Sequence, residues 1–191
     1  FQTANHRWVV CSALAQALSL FPDLPAREYI DAVLAETIDL NEDGEYEERS
    51  TGIYNHVSNR SLRFMADRLN RPEFLEPVRK NLDLMLHLLH DDGTIITSIS
   101  RRQDRDQAKI PVEGADSFFD MAQRDGNGGW VAAADWLLER APAAAGSPWL
   151  MEPFMLRPEY RAEHLPRRAL PDHFRKVFPA ARLWRVKRGP L

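Results

Sequence analysis

Cysteine is almost absent: Cys11 stands alone among 191 residues. An internal disulfide is therefore excluded, as is a metal site built from several thiolates. Cys11 falls on an apolar helical face, where a thiol serves as a small core residue. Long apolar runs are also missing. No stretch approaches the ~20 uncharged residues that a membrane helix needs, so no membrane partner is expected. The glycine-rich turn Asp125-Gly126-Asn127-Gly128-Gly129 lacks the Lys-Ser/Thr of a phosphate loop, which leaves nucleotide binding unsupported. A leading methionine is absent too. The chain opens at Phe1 and stops at Leu191, just after a strand-like run. A middle piece of a longer protein is expected, with any secretion signal upstream. Periplasmic and cytoplasmic locations both stay open.

What is present is ordinary for a globular protein: 44% hydrophobic and 28% charged residues, with a net charge of -3. That net hides an asymmetry. Residues 157–191 hold ten Lys/Arg against three Asp/Glu, and the rest holds fifteen against twenty-five. Pro, His and apolar residues interrupt the basic tail and no recognition motif accompanies it, so nucleic acid is not expected as a partner.

Helical periodicity dominates the first ninety residues. Trp8, Cys11, Ala15 and Leu18 recur at spacings of three and four and share a face. That helix is expected from about residue 6 to Phe21, ending at Pro22. Pro25 reads as the first residue of a second helix, with Ile30, Val33, Leu34 and Ile38 inward. An acidic loop over 39–51 precedes a third helix, 53–69, and Pro72 starts a fourth. Asp91-Asp92-Gly93 breaks the pattern, and Thr94 to Ser98 reads as a short strand. Further helices are expected over Ser117–Ala122 and Gly129–Arg140. The proline-dense 141–175 reads as a traversing connection. Residues 176–191, with apolar and basic residues alternating from Ala181, read as the first strand of a β domain. The fold class is mainly α, with 1–140 as the helical body.

Two polar clusters carry the chemistry. Asn5-His6-Arg7-Trp8 opens the first helix, where free N–H groups and the helix dipole suit an anion. As a plain helix start, Asn5 would cap, His6 and Arg7 would be solvated and Trp8 would anchor the core. As a site, Asn5, His6 and Arg7 would donate to a carboxylate. The second cluster runs from Glu47 through Arg49, Tyr54, Asn55 and His56 to Asn59 and Arg60, at the start of the third helix. Its plain reading is a capped terminus with a buried Tyr.

In the order Asn5-His6-Arg7-Trp8, Glu48 to Asn55, Asp91 to Ile95, Ser100 to Arg105 and a late basic strand, the chain resembles the heparinase II/III-like polysaccharide lyases. The resemblance implies an incomplete (α/α) toroid of antiparallel helix pairs followed by a β-sandwich. It implies β-elimination beside a uronic acid, on an acidic polysaccharide or oligosaccharide. Asn5, His6 and Arg7 would neutralise the substrate carboxylate. Tyr54 matches the family's catalytic Tyr as acid, base or both, and His6 is the other candidate base. Arg49, Asn55, His56, Arg101 and Arg102 are expected to bind substrate, Arg101 and Arg102 because guanidinium groups suit carboxylate and sulfate. The family's further catalytic His or Tyr is matched by no residue here. By the resemblance, nearly all of the sandwich, with any structural divalent metal it holds, is expected to lie beyond this chain. No cofactor is required in the chain itself, and it is expected to be inactive or weakly active alone.

Rival readings stay open. A glycoside hydrolase on a similar toroid would use paired carboxylates from Glu47, Glu48 and Asp43. A non-catalytic glycan-binding domain is the other. Asp39, Asn41, Asp43 and Gly44 fit the first half of a calcium loop, but Ser50 stands where a bidentate Glu belongs, so weak calcium binding competes with a plain acidic turn. His87 and His90 lack partners for a zinc site. Trp130 and Trp136 are assigned to core before sugar stacking. The sequence leaves the oligomeric state and the glycan unspecified.

Overall fold

The computed structural model describes residues 3–162 and 164–189. It is mainly helical, with one short antiparallel sheet. Helix α1, Ala4–Leu20, buries Trp8, Cys11, Ala15 and Leu18, the predicted stripe. It lies against α3, Tyr54–Arg68, and against the shorter α2, Arg27–Leu34. Helix α4, Leu75–Leu88, follows a single turn begun by Pro72 and packs on α3. Its buried residues Val78, Leu82, Met85 and Leu88 follow the helical repeat. A second pair, α5 (Ala115–Asp125) and α6 (Gly128–Arg140), is joined by Gly126 at φ +64° and by Asn127. The Asn127 side chain accepts the N–H groups of Gly129 and Trp130, which starts α6. Among the described residues no helix is long and apolar enough to cross a membrane.

Three expectations need correction. Thr94 to Ser98 forms no strand: only an isolated bridge joins Leu89 to Ile95, while the Ile95 N–H goes instead to Lys109 O at 2.9 Å. The 141–175 stretch carries its own helix, α7, Pro148–Leu156, packed on α5. Pro148 occupies its first turn, where a missing N–H costs nothing. The late β segment is a hairpin, β1 (His173–Phe178) and β2 (Leu183–Arg188), so its first strand begins inside the range expected as connection. Phe178 pairs with Leu183 and His173 with Arg188.

The hairpin docks on the helical body. Phe178 and Ala181 are buried, and Lys176 and Lys187 pair with Asp83 and Asp91. Its turn is gripped by the loop before α3: the Ala181 N–H donates to Asp43 Oδ2 at 3.0 Å. The Arg49 guanidinium donates to Ala180 O at 2.9 Å.

Candidate functional site

The first turn of α1 places Asn5 inward and leaves His6 exposed. Thr3 precedes it in an extended conformation and gives no side-chain cap. Its hydroxyl instead donates to Asn5 Oδ1 at 2.8 Å, which leaves the amide NH2 as the donating end of Asn5. Arg7 is committed elsewhere. It pairs with Glu36 at 2.5 Å and approaches Asp39 at 3.9 Å, beyond the end of α2.

Glu48 lies against this helix start. Burial pushes its carboxyl above the usual range, and Arg102, the Asn5 backbone N–H and His6 pull it back. Arg102 Nη1 stands 3.6 Å from Glu48 Oε1. The same guanidinium lies over the Tyr54 ring, 4.7 Å from its centroid. Gln103 completes the arrangement, its Nε2 donating to the Tyr54 hydroxyl at 2.7 Å. A chain of neighbours therefore runs from the first turn of α1 through Glu48 and Arg102 to Tyr54.

The loop that presents Arg102 and Gln103 is fixed by Asp104, which is fully buried. Its carboxylate accepts from Ser100 Oγ at 2.5 Å, Ser50 Oγ at 2.9 Å and the Gly52 N–H at 3.0 Å. Ser50 Oγ in turn receives the Tyr54 N–H at 3.1 Å and so closes the first turn of α3. One knot thus starts the helix that bears Tyr54 and anchors the loop that covers it. Acceptance of several donors is what keeps a buried carboxylate tolerable.

Other predicted binding residues are placed differently. Asn55 is buried and donates to Glu45 Oε1 at 2.7 Å. His56 is buried as well; burial lowers its imidazole to about 4, so it is neutral near pH 7. Both helix-start residues face inward because α3 buries that side against its neighbours, and neither is an exposed donor. Arg49 is spent on Ala180 O. Arg101 is exposed, and its Nη1 reaches Glu47 O at 3.3 Å. A pocket of about 330 Å³ opens among Asp39, Glu45, Glu47, Arg49 and Arg101.

The calcium half-motif folds as a tight turn. Asp39 Oδ1 accepts from the Trp8 indole at 2.8 Å, and Asn41 Oδ1 accepts the N–H groups of Asp43 and Glu45, each at 3.0 Å. Asp43 holds Ala181. Each of the three side chains thus accepts at least one protein N–H. Among the described residues no group of three or more His, Cys, Asp or Glu side chains is arranged to hold a metal. His87 lies edge-on to Phe174, with ring centroids 4.9 Å apart. Trp130 is buried and the half-buried Trp136 carries Arg140 at 3.9 Å from its ring centroid.

Three residues escaped the sequence reading. Gln103 and Asp104 sit among arginines that draw the eye to substrate binding, and nothing local marks their partners fifty residues earlier. Glu45 is the third. It is fully buried, and desolvation raises its carboxyl to about 8 against the opposing pull of Asn55, the Tyr46 N–H and Arg49. Its position before Tyr46 in an acidic run gives no sign of burial. Comparison with protein-family models, with curated proteins and with solved structures finds no match.

Proposed function

We propose that this chain is part of a polysaccharide lyase that cleaves uronic-acid-containing glycans by β-elimination. The observation that carries the reading is the link from the α1 start through Glu48 and Arg102 to Tyr54. The two motifs of the resemblance are far apart in sequence, yet this short chain of groups joins them. The packing of α1 on α3, α3 on α4 and α5 on α6 supports the further reading of the helical body as an incomplete (α/α) toroid.

In this reading the substrate's uronate lies at the α1 start. The C5 proton beside a carboxylate is too weakly acidic until that charge is neutralised. The Asn5 amide and the exposed His6 ring supply hydrogen bonds there, aided by the helix N-terminus. Tyr54 or His6 removes the C5 proton. The released pair forms the C4–C5 double bond as the C4–O bond breaks, and Tyr54 protonates the departing oxygen. The exposed Arg101 suits a neighbouring acidic sugar.

The test is a screen of the full protein on alginate, heparan, hyaluronan and pectin-type substrates for the far-ultraviolet absorbance of unsaturated uronide. His6→Ala and Tyr54→Phe are each expected to lower turnover by about 100-fold or more. Near-normal rates in both variants reject these assignments. One observation favours a hydrolase as the second reading: Glu48 has the raised, buried carboxyl of a general acid. New reducing ends without absorbance would establish it. Glycan binding without any degradation would identify a non-catalytic domain.

A further inference from the structure

Glu48 is an unusual residue to bury. It is 9% exposed, and neither carboxylate oxygen meets a donor at full hydrogen-bond geometry. A buried charge is tolerated only where something compensates it. The nearest cation is Arg102, whose edge faces Glu48 and whose planar face covers Tyr54. Only a guanidinium can serve both at once, because it is flat, permanently charged and forked. The next residue along, Gln103, holds the phenol oxygen, and Asp104 locks the loop beneath. Tyr54 is therefore held on its face and at its hydroxyl by consecutive residues of one loop.

We propose that Glu48 and Arg102 are a positioning pair for Tyr54: the carboxylate fixes the guanidinium, and the guanidinium fixes the ring and sets a positive charge beside it. The proposal rests on the elimination reading above. It assigns Glu48 no contact with substrate. The groups that face Glu48 are Arg102 and Arg101 from the covering loop, the Asn5 N–H and His6 from α1, and Asp39 from the loop after α2. Arg101 meets it through the backbone, its N–H donating to Glu48 O at 3.0 Å. Burial and Asp39 favour the protonated carboxyl, whereas Arg102, the Asn5 N–H and His6 favour the ionised one. Ionised Glu48 holds Arg102 over the ring. Protonation releases the guanidinium, so the rate falls on the acid side of the pH profile. Removal of Arg102 takes away an influence that lowers the Glu48 titration, and that titration then moves to higher pH.

Two measurements test the pair. The first is kcat/KM against pH, on whichever acidic glycan yields unsaturated product, for the full protein and for Glu48→Gln, Arg102→Met and Arg102→Lys. The expected results are loss of the acid limb in Glu48→Gln and also in Arg102→Met, where protonation of Glu48 has no guanidinium to release. Arg102→Met should also lose about 10- to 100-fold at neutral pH. Arg102→Lys should recover only part of that loss, since an ammonium lacks the flat face. Equal loss at every pH in all three variants would mean a merely structural role and would overturn the proposal. The second measurement needs no turnover. Carbon-13 NMR follows the Glu48 carboxyl and the Tyr54 ring through a pH titration. The Tyr54 ring signals should move with the Glu48 midpoint and lose that inflection in both Glu48→Gln and Arg102→Met, while the Glu48 carboxyl itself titrates at higher pH in Arg102→Met. A Tyr54 ring indifferent to Glu48 overturns the proposal even if the glycan is cleaved. Absence of unsaturated product on every glycan rejects the lyase reading, and the titration still decides the pair.

Discussion

Glu45 offers the sharpest test of the electrostatic reasoning. It is fully buried within the loop before α3. Its Oε1 accepts from Asn55 Nδ2 at 2.7 Å and from the Tyr46 N–H at 3.0 Å, and its Oε2 has no partner. Burial raises the carboxyl from 4.5 to about 8. In the unfolded chain the group ionises near 4.5; in the folded protein it keeps its proton until about pH 8. Between those values the native state binds one more proton than the unfolded state, so stability falls as pH rises and levels off above about pH 8. The full gap corresponds to about 5 kcal/mol, and relaxation around the new charge recovers part of it, which leaves about 3–5 kcal/mol. Glu45→Gln imitates the protonated form and cannot ionise. At pH 5 its stability should lie within about 1 kcal/mol of the parent, because its oxygen can accept the same bonds. At pH 8.5 it should be more stable than the parent by about 3–5 kcal/mol. Urea unfolding followed by tryptophan fluorescence at both pH values reads the difference directly. A stability gap that stays constant from pH 5 to 8.5 refutes the argument, since it would mean that Glu45 titrates alike in both states.

Arg63 is 3% exposed among Asp116, Asp120 and Glu152 at 3.1–3.3 Å. Arg63→Met removes the cation common to all three, while Arg60 still meets Asp116 and Glu152 and Arg124 still meets Asp120; it should cost about 3 kcal/mol, read from the urea midpoint. A loss below about 1 kcal/mol would show that the remaining cations compensate the carboxylates in full. Gly44 and Gly93 lie at φ +87° and +92°, but an added Cβ meets the backbone Lys80 O at 2.5 Å in the first and the side-chain Arg140 Cδ at 2.6 Å in the second. Gly44→Ala should therefore lower stability by more than about 2 kcal/mol and Gly93→Ala by about 1 kcal/mol, an order that thermal melts can check. The Cys11 thiol is buried, and burial raises it to about 11. It should resist a thiol reagent in the native protein and react once urea unfolds the chain; prompt reaction in native buffer would contradict its place in the core.

The helical body was legible because its signal is local. Trp8, Cys11, Ala15 and Leu18 announce α1 by spacing alone, and all four are buried. Val78, Leu82 and Met85 do the same for α4. The proline-dense stretch misled because Pro148 and Pro158 sit in first turns, where proline begins helices as readily as it ends them. The candidate site was legible only in part. Asn5, His6 and Tyr54 stand out by residue type at helix starts. That Arg7 would turn to Glu36, and Asn55 to Glu45, depends on partners from other elements. Spacing fixes which face of a helix a residue occupies, but the neighbour across from it is set by tertiary packing. Asp104 makes the same point, since its three donors come from residues 50, 52 and 100.

The docking of the β hairpin has an evolutionary consequence. The loop before α3 grips the hairpin turn through the Ala180 carbonyl and the Ala181 N–H, atoms that nearly every residue type provides. The side chains that do the gripping, Asp43 and Arg49, lie on the helical body. Substitution is thus constrained on the helical body and free at residue 180, whereas burial holds Ala181 to a small side chain. In sequences that share this arrangement, Asp43, Arg49 and a small residue at 181 should persist while residue 180 drifts, without compensating change on the helical body.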